Sequence, residues 1–278
     1  MSETKSSYRL AIVGWPVTGS LSPELWETMG EGRGLEIEYE RWPVEPGDTE
    51  AWEAIWVSDL DAFNVTAPHK EAAAARCDRL SSPAERITSV NTVLRKPGGW
   101  RGETTDGHGF LRSLEDADVP LVGQQIALLG TGGAGRAVAR ATADAGARVT
   151  FVSRAPERAV TGCEDCGRVG WDALDLLESP TIVVNATPLG RLAGDEPPVP
   201  YRAWFPNAVA VDLNYDPAVT RFLELATNEG AHTINGVGML VHQAALAAAL
   251  VIDADPRAAA GYANDFRSAT QAERARRC

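Results

Sequence analysis

Three glycines with the spacing G-x-G-x-x-G follow a short apolar run in the middle of the chain. Gly130 permits a sharp turn, Gly132 lets a phosphate approach the backbone, and Gly135 allows the next helix to pack closely on the strand. Unpaired N–H groups at the start of that helix would bind phosphate oxygens. Because an apolar strand precedes the motif and an alanine-rich helix follows it, the stretch predicts a dinucleotide site. The alternative is a glycine-rich connection that binds nothing.

Lys70 is the basic residue whose position indicates proton chemistry. It stands in the first turn of a predicted helix, where a positive charge opposes the helix dipole. Three of the 26 basic residues are lysines, and the others are arginines. An amine can release its proton, whereas a guanidinium in a protein does not. The position therefore favours a role in proton transfer, and a lysine on a solvated face is the alternative.

Two serines and one aspartate stand where predicted loops lead into helices. Ser20 and Ser22 present two hydroxyls that could hold a carboxylate, although Ser22 before Pro23 also fits a simple helix cap. Asp106, which lies among glycines, either caps the helix that follows or holds a carboxylate at a cleft. Both readings stay open for these residues.

The apolar pattern of the chain alternates between strands and helices. Such alternation predicts an α/β fold with parallel strands, right-handed crossovers and ligands at the carboxyl ends of the strands. Strands are predicted at residues 9–14, 36–44, 62–66, 88–94, 126–129, 148–152, 181–185 and 208–213, and helices at 49–57, 110–117, 137–145, 220–229 and 239–250.

Composition excludes several classes of protein. The chain has 278 residues, 44% of them hydrophobic and 23% charged, and a net charge of −12, which disfavours a nucleic-acid partner. A polar start and the absence of a long apolar run predict a cytoplasmic protein without a membrane span. Cys163 and Cys166 form C-x-x-C with no second pair or histidine cluster, so we expect surface thiols and no metal site.

Seven motifs in order resemble those of the shikimate dehydrogenase family, between about Leu10 and about Ala249. They are Ser20-Leu21-Ser22-Pro23, Asn64-Val65-Thr66-x-Pro68-x-Lys70, Val90-Asn91-Thr92, Thr105-Asp106-Gly107, Gly130-x-Gly132-Gly133-Ala134, Asn185-Ala186-Thr187-Pro188-Leu189-Gly190 and Gly238-Met239-Leu240-Val241-x-Gln243-Ala244. The resemblance implies reversible, NADP-linked reduction of 3-dehydroshikimate to shikimate by hydride transfer, a step in chorismate and aromatic amino-acid biosynthesis.

The resemblance also implies two α/β domains with the substrate in the cleft between them. Residues 1–105 with 239–278 would form the substrate-binding and catalytic domain, to which the C-terminal helices return, and residues 106–238 the Rossmann-type NADP-binding domain. Lys70 and Asp106 would be the catalytic pair. The implied substrate residues are Ser20 and Ser22 for the carboxylate, Asn64, Thr66, Asn91 and Gln243 for the ring hydroxyls, and Tyr215 near the carboxylate. The implied cofactor residues are Gly130, Gly132, Gly133, Ala134, Asn185, Thr187, Gly236 and Met239.

The end of the second cofactor-domain strand predicts which cofactor is preferred. An NAD site usually has an acid there for the ribose 2′-hydroxyl, but this chain has Ser153 and Arg154, followed by Arg158. Guanidinium groups suit a phosphate, so we predict that NADP is preferred over NAD. Solvated surface arginines are the alternative.

Two departures from the family pattern concern substrate preference. Gly19 stands where the family usually has histidine, and Thr104 where it usually has asparagine. The nearest alternative is a quinate or quinate/shikimate dehydrogenase, which has the same chemistry. A non-catalytic NADP-binding regulator on the same scaffold is the alternative from another class. The expected partner is a small-molecule substrate, and the chain would act as a monomer or a homodimer.

Overall fold

The structure, a computed structural model, describes residues 5–177, 180–191, 194–195 and 208–277. The chain divides into two compact units. The first comprises Met1–Thr105 and Val241–Cys278, and the second Asp106–Leu240. The chain therefore leaves the first unit once and returns to it.

The first unit is built on a mixed sheet of six strands. Its strands are β1 (Ser7–Gly14), β2 (Glu36–Pro43), β3 (Ala62–Val65), β4 (Arg79–Leu80), β5 (Thr92–Lys96) and β6 (Gly99–Glu103). Their order is β2-β1-β3-β5-β6-β4, in which β1 is parallel to β2 and β3, β5 is antiparallel to β3 and β6, and β4 is parallel to β6. The hairpin between β5 and β6 pairs Lys96 with Gly99.

The helices of this unit come from both ends of the chain. They are α1 (Ser22–Arg33), α2 (Thr49–Val57), α3 (Lys70–Arg76), α4 (Ser82–Ile87) and α9 (Ala259–Arg277). Helix α8 (Val237–Ala248) begins in the second unit and continues into a π-helical turn (Ala249–Asp253) and a 3₁₀ turn (Pro256–Ala258). Helix α9 packs on α1, where the rings of Trp26 and Phe266 meet edge to face at 5.5 Å. The predicted return of the C-terminal helices is confirmed.

The second unit has a parallel sheet of six strands. They are β7 (Gln125–Leu129), β8 (Arg148–Ser153), β9 (Gly167–Gly170), β10 (Ile182–Asn185), β11 (Val209–Asp212) and β12 (His232–Ile234). The order β9-β8-β7-β10-β11-β12 is the 3-2-1-4-5-6 order of the Rossmann fold. Central strands β7 and β10 are almost entirely buried, as expected for apolar runs covered on both faces. The helices are α5 (Asp106–Asp116), α6 (Gly133–Asp144) and α7 (Arg221–Asn228), with a 3₁₀ helix at Trp171–Leu176.

Two sequence predictions about strands and burial were wrong. The predicted strand over 88–94 begins only at Thr92, because Thr88 ends α4 in the left-handed conformation with φ 48°. Cys163 and Cys166, predicted at the surface, are buried in the core of the second unit. Packing of the segment after β8 against that core accounts for their burial, and both thiols are free.

Within the described residues, no helix combines the length and apolar character needed to cross a membrane. The same residues contain no group of three or more histidine, cysteine, aspartate or glutamate side chains placed to hold a metal ion.

Candidate functional site

Asn91 is the polar centre of the first unit. Its side chain is 4% exposed, accepts a hydrogen bond from the Thr105 N–H (2.8 Å) and donates to the Thr105 hydroxyl (2.8 Å). It also donates to Oε1 of Gln243 (3.4 Å), while the main-chain carbonyl oxygen of Asn91 accepts from the Asn64 amide (3.1 Å). Three residues predicted to bind ring hydroxyls, Asn64, Asn91 and Gln243, therefore form one connected network.

Asn64 is fixed from a second side. It lies on β3, and its Oδ1 accepts a hydrogen bond from the Tyr39 hydroxyl at 2.7 Å. Its amide also donates to the Thr92 hydroxyl at 3.0 Å. Thr66 follows β3 and donates its backbone N–H to Val13 at 2.8 Å. These contacts hold the carboxyl end of β3 against its neighbouring strands.

Ser20 and Ser22 lie in one turn at the start of α1. The Ser22 N–H donates to Oγ of Ser20 at 3.2 Å, and Ser22 is the first residue of the helix. The helix-cap alternative for Ser22 is therefore wrong, because the cap residue is Leu21 and the only hydroxyl that accepts from the first turn in the described contacts is that of Ser20. Both serines remain candidates for holding a carboxylate.

Lys70 and Asp106 each occupy the first position of a helix. Lys70 begins α3, and its carbonyl accepts the N–H of Val90 at 3.1 Å, next to Asn91. Asp106 begins α5, is 6% exposed, and directly follows Thr105 in the chain. A carboxylate at a helix start is stabilised by the dipole, whereas an ammonium there is not. The two residues fall in different units.

The glycine turn of the second unit has the conformation that the motif predicts. Gly130 turns the chain after β7 with φ +101°, and a Cβ on Gly135 would lie 2.4 Å from the Gly130 carbonyl oxygen. Gly132 is the N-cap of α6, and a Cβ there would meet nothing within 4 Å. Open space beside the start of a helix suits a phosphate, which the first N–H groups of the helix can bind. Gly133 and Ala134 supply the first helical residues.

The carboxyl end of β8 carries the residues predicted to select the cofactor. Ser153 is the last residue of β8, and its Oγ accepts from the N–H of Ala155 at 3.3 Å. Arg154 and Arg158 follow and are both exposed. Their guanidinium groups are therefore accessible at the same sheet edge as the glycine turn.

Asp212 joins the carboxyl ends of β10 and β11. The residue is fully buried, and its carboxylate accepts from the Thr220 hydroxyl (2.6 Å), the Asn214 N–H (2.9 Å) and the Asn185 amide (3.3 Å). Asn185 in turn accepts from the Thr187 hydroxyl at 2.7 Å. Burial raises the pKa of Asp212, and the hydrogen bonds oppose this shift.

The remaining predicted residues lie beside this network. Tyr215 follows Asn214 and is half-buried. Gly236 packs against the same loop, since a Cβ on it would lie 2.2 Å from the Leu213 carbonyl oxygen. Met239 is 8% exposed and packs into the core of the second unit. Of these three, Tyr215 presents the most polar surface for a ligand.

With this geometry established, comparison with known proteins identifies the family. The model of the shikimate dehydrogenase substrate binding domain matches residues 12–93. A shikimate dehydrogenase (NADP(+)) from Stenotrophomonas maltophilia is 39% identical over 254 residues, which cover 85% of this chain and 88% of that protein. The chain belongs to the shikimate dehydrogenase family. A second member, shikimate dehydrogenase (NADP(+)) from Thermus thermophilus, is 40% identical over 243 residues, covering 86% of this chain and 90% of that protein.

A solved structure supports the same family assignment. The crystal structure of shikimate 5-dehydrogenase from Thermus thermophilus in complex with NADP(H) and shikimate has a TM-score of 0.80 and 36% sequence identity. The match covers 94% of this chain and 99% of that chain. The predicted family and the two-domain α/β fold class are confirmed.

Sequence reasoning missed two residues that organise these sites. Asp212 was not singled out, although a charged residue ending an apolar strand three positions before Tyr215 was a usable signal. Arg41 contacts the turn that contains Ser20 and Ser22, which we call the serine turn. It lies on the edge strand β2 among other charged residues. Its partners are far away in the chain, so no local pattern marks it.

We predict that Asp212→Asn destabilises the protein. Within the described residues, the groups hydrogen-bonded to the carboxylate are donors, so an NH₂ group would leave at least one of them without an acceptor. Such a loss costs roughly 1–3 kcal/mol in the free energy of unfolding, measurable by urea denaturation. Asp172→Asn, at an exposed position of the same unit, is the control. Equal midpoints for the two variants would contradict the role of the network.

Proposed function

We propose that the chain catalyses the reversible, NADP-dependent reduction of 3-dehydroshikimate to shikimate, in aromatic amino-acid biosynthesis. The observation that carries this proposal is the match over 94% of the chain to a structure that holds both NADP(H) and shikimate. The names of the relatives favour shikimate over quinate as substrate. A non-catalytic regulator would need neither Lys70 nor Asp106, so their presence favours an enzyme.

The residues of the second unit fit NADP. The open start of α6 at Gly132 suits the pyrophosphate, and the exposed Arg154 and Arg158 suit a 2′-phosphate. Asn185 and Thr187, held by Asp212, would line the same edge of the sheet, with Ser153 at the end of β8. When bound, NADP supplies the two-electron redox chemistry of the reaction.

The residues of the first unit would bind most of the substrate. Ser20 and Ser22 offer hydroxyl groups to its carboxylate, and Tyr215, which belongs to the second unit, would assist them. The network of Asn64, Asn91 and Gln243 offers amide groups to the ring hydroxyls, with Thr66 beside β3. Because these side chains are already fixed by one another, they need little reordering when a polar ring binds.

Lys70 and Asp106 would carry the proton chemistry. As the ketone is reduced, negative charge develops on its oxygen, and the Lys70 ammonium can stabilise that charge and deliver a proton to the oxygen. In the oxidation direction the neutral amine takes the proton back. Asp106 would accept a hydrogen bond from a substrate hydroxyl and orient the amine.

We further propose a cytoplasmic enzyme that acts as a monomer or homodimer.

Arg154→Asp should reverse or abolish the preference for NADP. The variant replaces a cation suited to the 2′-phosphate with an anion that repels it, so we expect the ratio of kcat/KM for NADP to that for NAD to fall by about tenfold or more. Steady-state kinetics with both cofactors measures this ratio. Arg148→Asp is the matched control, since Arg148 is exposed at the opposite end of β8. An unchanged ratio for Arg154→Asp would refute the assignment.

Lys70→Ala should remove turnover without removing cofactor binding. Loss of a general acid–base group lowers kcat by roughly two or more orders of magnitude, while NADP affinity, measured by fluorescence titration, should be unchanged. Lys96→Ala tests whether any lysine of the first unit has this effect, and its kcat should match that of the parent protein. If Lys70→Ala kept most of its kcat, another residue would have to move the proton.

A further inference from the structure

Arg41, which lies on strand β2, donates a hydrogen bond to the serine turn. Its Nη2 donates to the carbonyl oxygen of Ser20 at 2.7 Å. The same nitrogen lies 2.5 and 2.6 Å from the two carboxylate oxygens of Glu24, in the first turn of α1. One guanidinium group therefore links the edge strand of the sheet, the serine turn and the helix that follows it.

The contact completes the fixing of Ser20. The Ser20 N–H donates to the carbonyl of Val17 at 3.0 Å, and its Oγ accepts from the N–H of Ser22 at 3.2 Å. Both of these bonds lie within the turn itself, whereas the bond to the carbonyl oxygen comes from another strand. Gly19 adds no packing, since even a Cβ there would meet nothing within 4 Å. The contact from Arg41 therefore ties the turn to the sheet.

The contacts of Arg41 with Glu24 and Ser20 contribute little to the stability of the fold. The side chains of Arg41 and Glu24 are each 30% exposed, and partly exposed ion pairs contribute little net stability. Moreover, Nε of Arg41 is buried without a hydrogen-bond acceptor in the part of the chain that the structure describes, which carries a cost. The Nε atom of Arg41 is therefore buried at a cost in folding free energy, and the residue lies next to two hydroxyls that are candidates for binding a ligand. We interpret this combination as a functional role.

We propose that Arg41 is a positioning residue, which, given the proposed function, fixes the hydroxyls of Ser20 and Ser22 for the substrate carboxylate. Glu24 holds the guanidinium in place. Arg41 acts through the Ser20 carbonyl group, so its loss should weaken substrate binding rather than the redox step. The alternative role is direct attraction of the carboxylate by the positive charge, which Glu24 would oppose.

The test compares Arg41→Met and Arg41→Lys in the full-length protein. Arg41→Met should raise KM for shikimate about tenfold, the value of one charge-assisted hydrogen bond, with kcat, KM for NADP and Tm nearly unchanged. Arg41→Lys should recover part of the loss, because an ammonium can reach one acceptor but lacks the planar fork. Arg9→Met is the control, because Arg9 forms similar surface ion pairs on the neighbouring strand β1.

Two further measurements separate the possible outcomes. Glu24→Ala should also raise KM for shikimate if Arg41 positions the turn, whereas a lower KM would establish direct charge attraction and overturn the proposal. Amide hydrogen exchange over residues 17–25 should be faster in Arg41→Met than in Arg9→Met, and unchanged exchange would overturn it too. Faster exchange with an unchanged KM for shikimate would likewise refute the positioning role.

Failure of the proposed function would look different. A parent protein that does not turn over shikimate contradicts the proposed function and, with it, the role of the turn in binding that substrate. Hydrogen exchange in Arg41→Met would in that case still report whether the guanidinium orders the turn. Turnover of shikimate by the parent protein therefore distinguishes failure of the proposed function from failure of the proposal for Arg41.

Discussion

The paired hydrogen bonds between Asn91 and Thr105 are the interaction on which the first unit's site depends. Asn91 satisfies both the N–H and the hydroxyl of Thr105 in a buried position, where an unmade hydrogen bond would be costly. Thr105 is the last residue before the chain enters the second unit, and Asp106 follows it directly. The same amide group reaches Gln243, so one buried side chain holds both Thr105 and the candidate site residue Gln243.

In the second unit, too, one buried side chain holds several segments together by hydrogen bonds, and here it is a carboxylate. Asp212 collects donors from the ends of two strands and from the following loop, and so fixes Asn185 and Asn214 at the carboxyl edge of the sheet. The glycine turn lies at that edge too, where the strand order reverses between β7 and β10. Backbone geometry alone shapes the glycine turn (Gly130–Gly135), whereas the buried carboxylate organises the surrounding loops.

Short sequence patterns predict those features that neighbouring residues determine, such as a helix cap or a tight turn. Helix α2 has the expected bounds, and its start is set locally because the Asp48 carboxylate accepts a hydrogen bond from the N–H of Ala51. The glycine turn is also set by local sterics, because a Cβ on Gly135 would lie 2.4 Å from the Gly130 carbonyl oxygen. The left-handed Thr88 and the buried C-x-x-C pair depend on tertiary packing, which no short window contains. Arg41 shows the same limit, because its contact with Ser20 joins residues 21 positions apart. For most site residues no local pattern indicates a role, and the family resemblance alone implies one.

The measurement that tests this account most directly is turnover by the purified full-length protein with shikimate or quinate, each offered with NADP or NAD. Reduction of the cofactor is followed by the absorbance of the reduced nicotinamide. The account predicts efficient turnover with shikimate and NADP and much lower kcat/KM for the other three combinations. Higher efficiency with quinate or with NAD, or no turnover in any combination while NADP still binds, would contradict it.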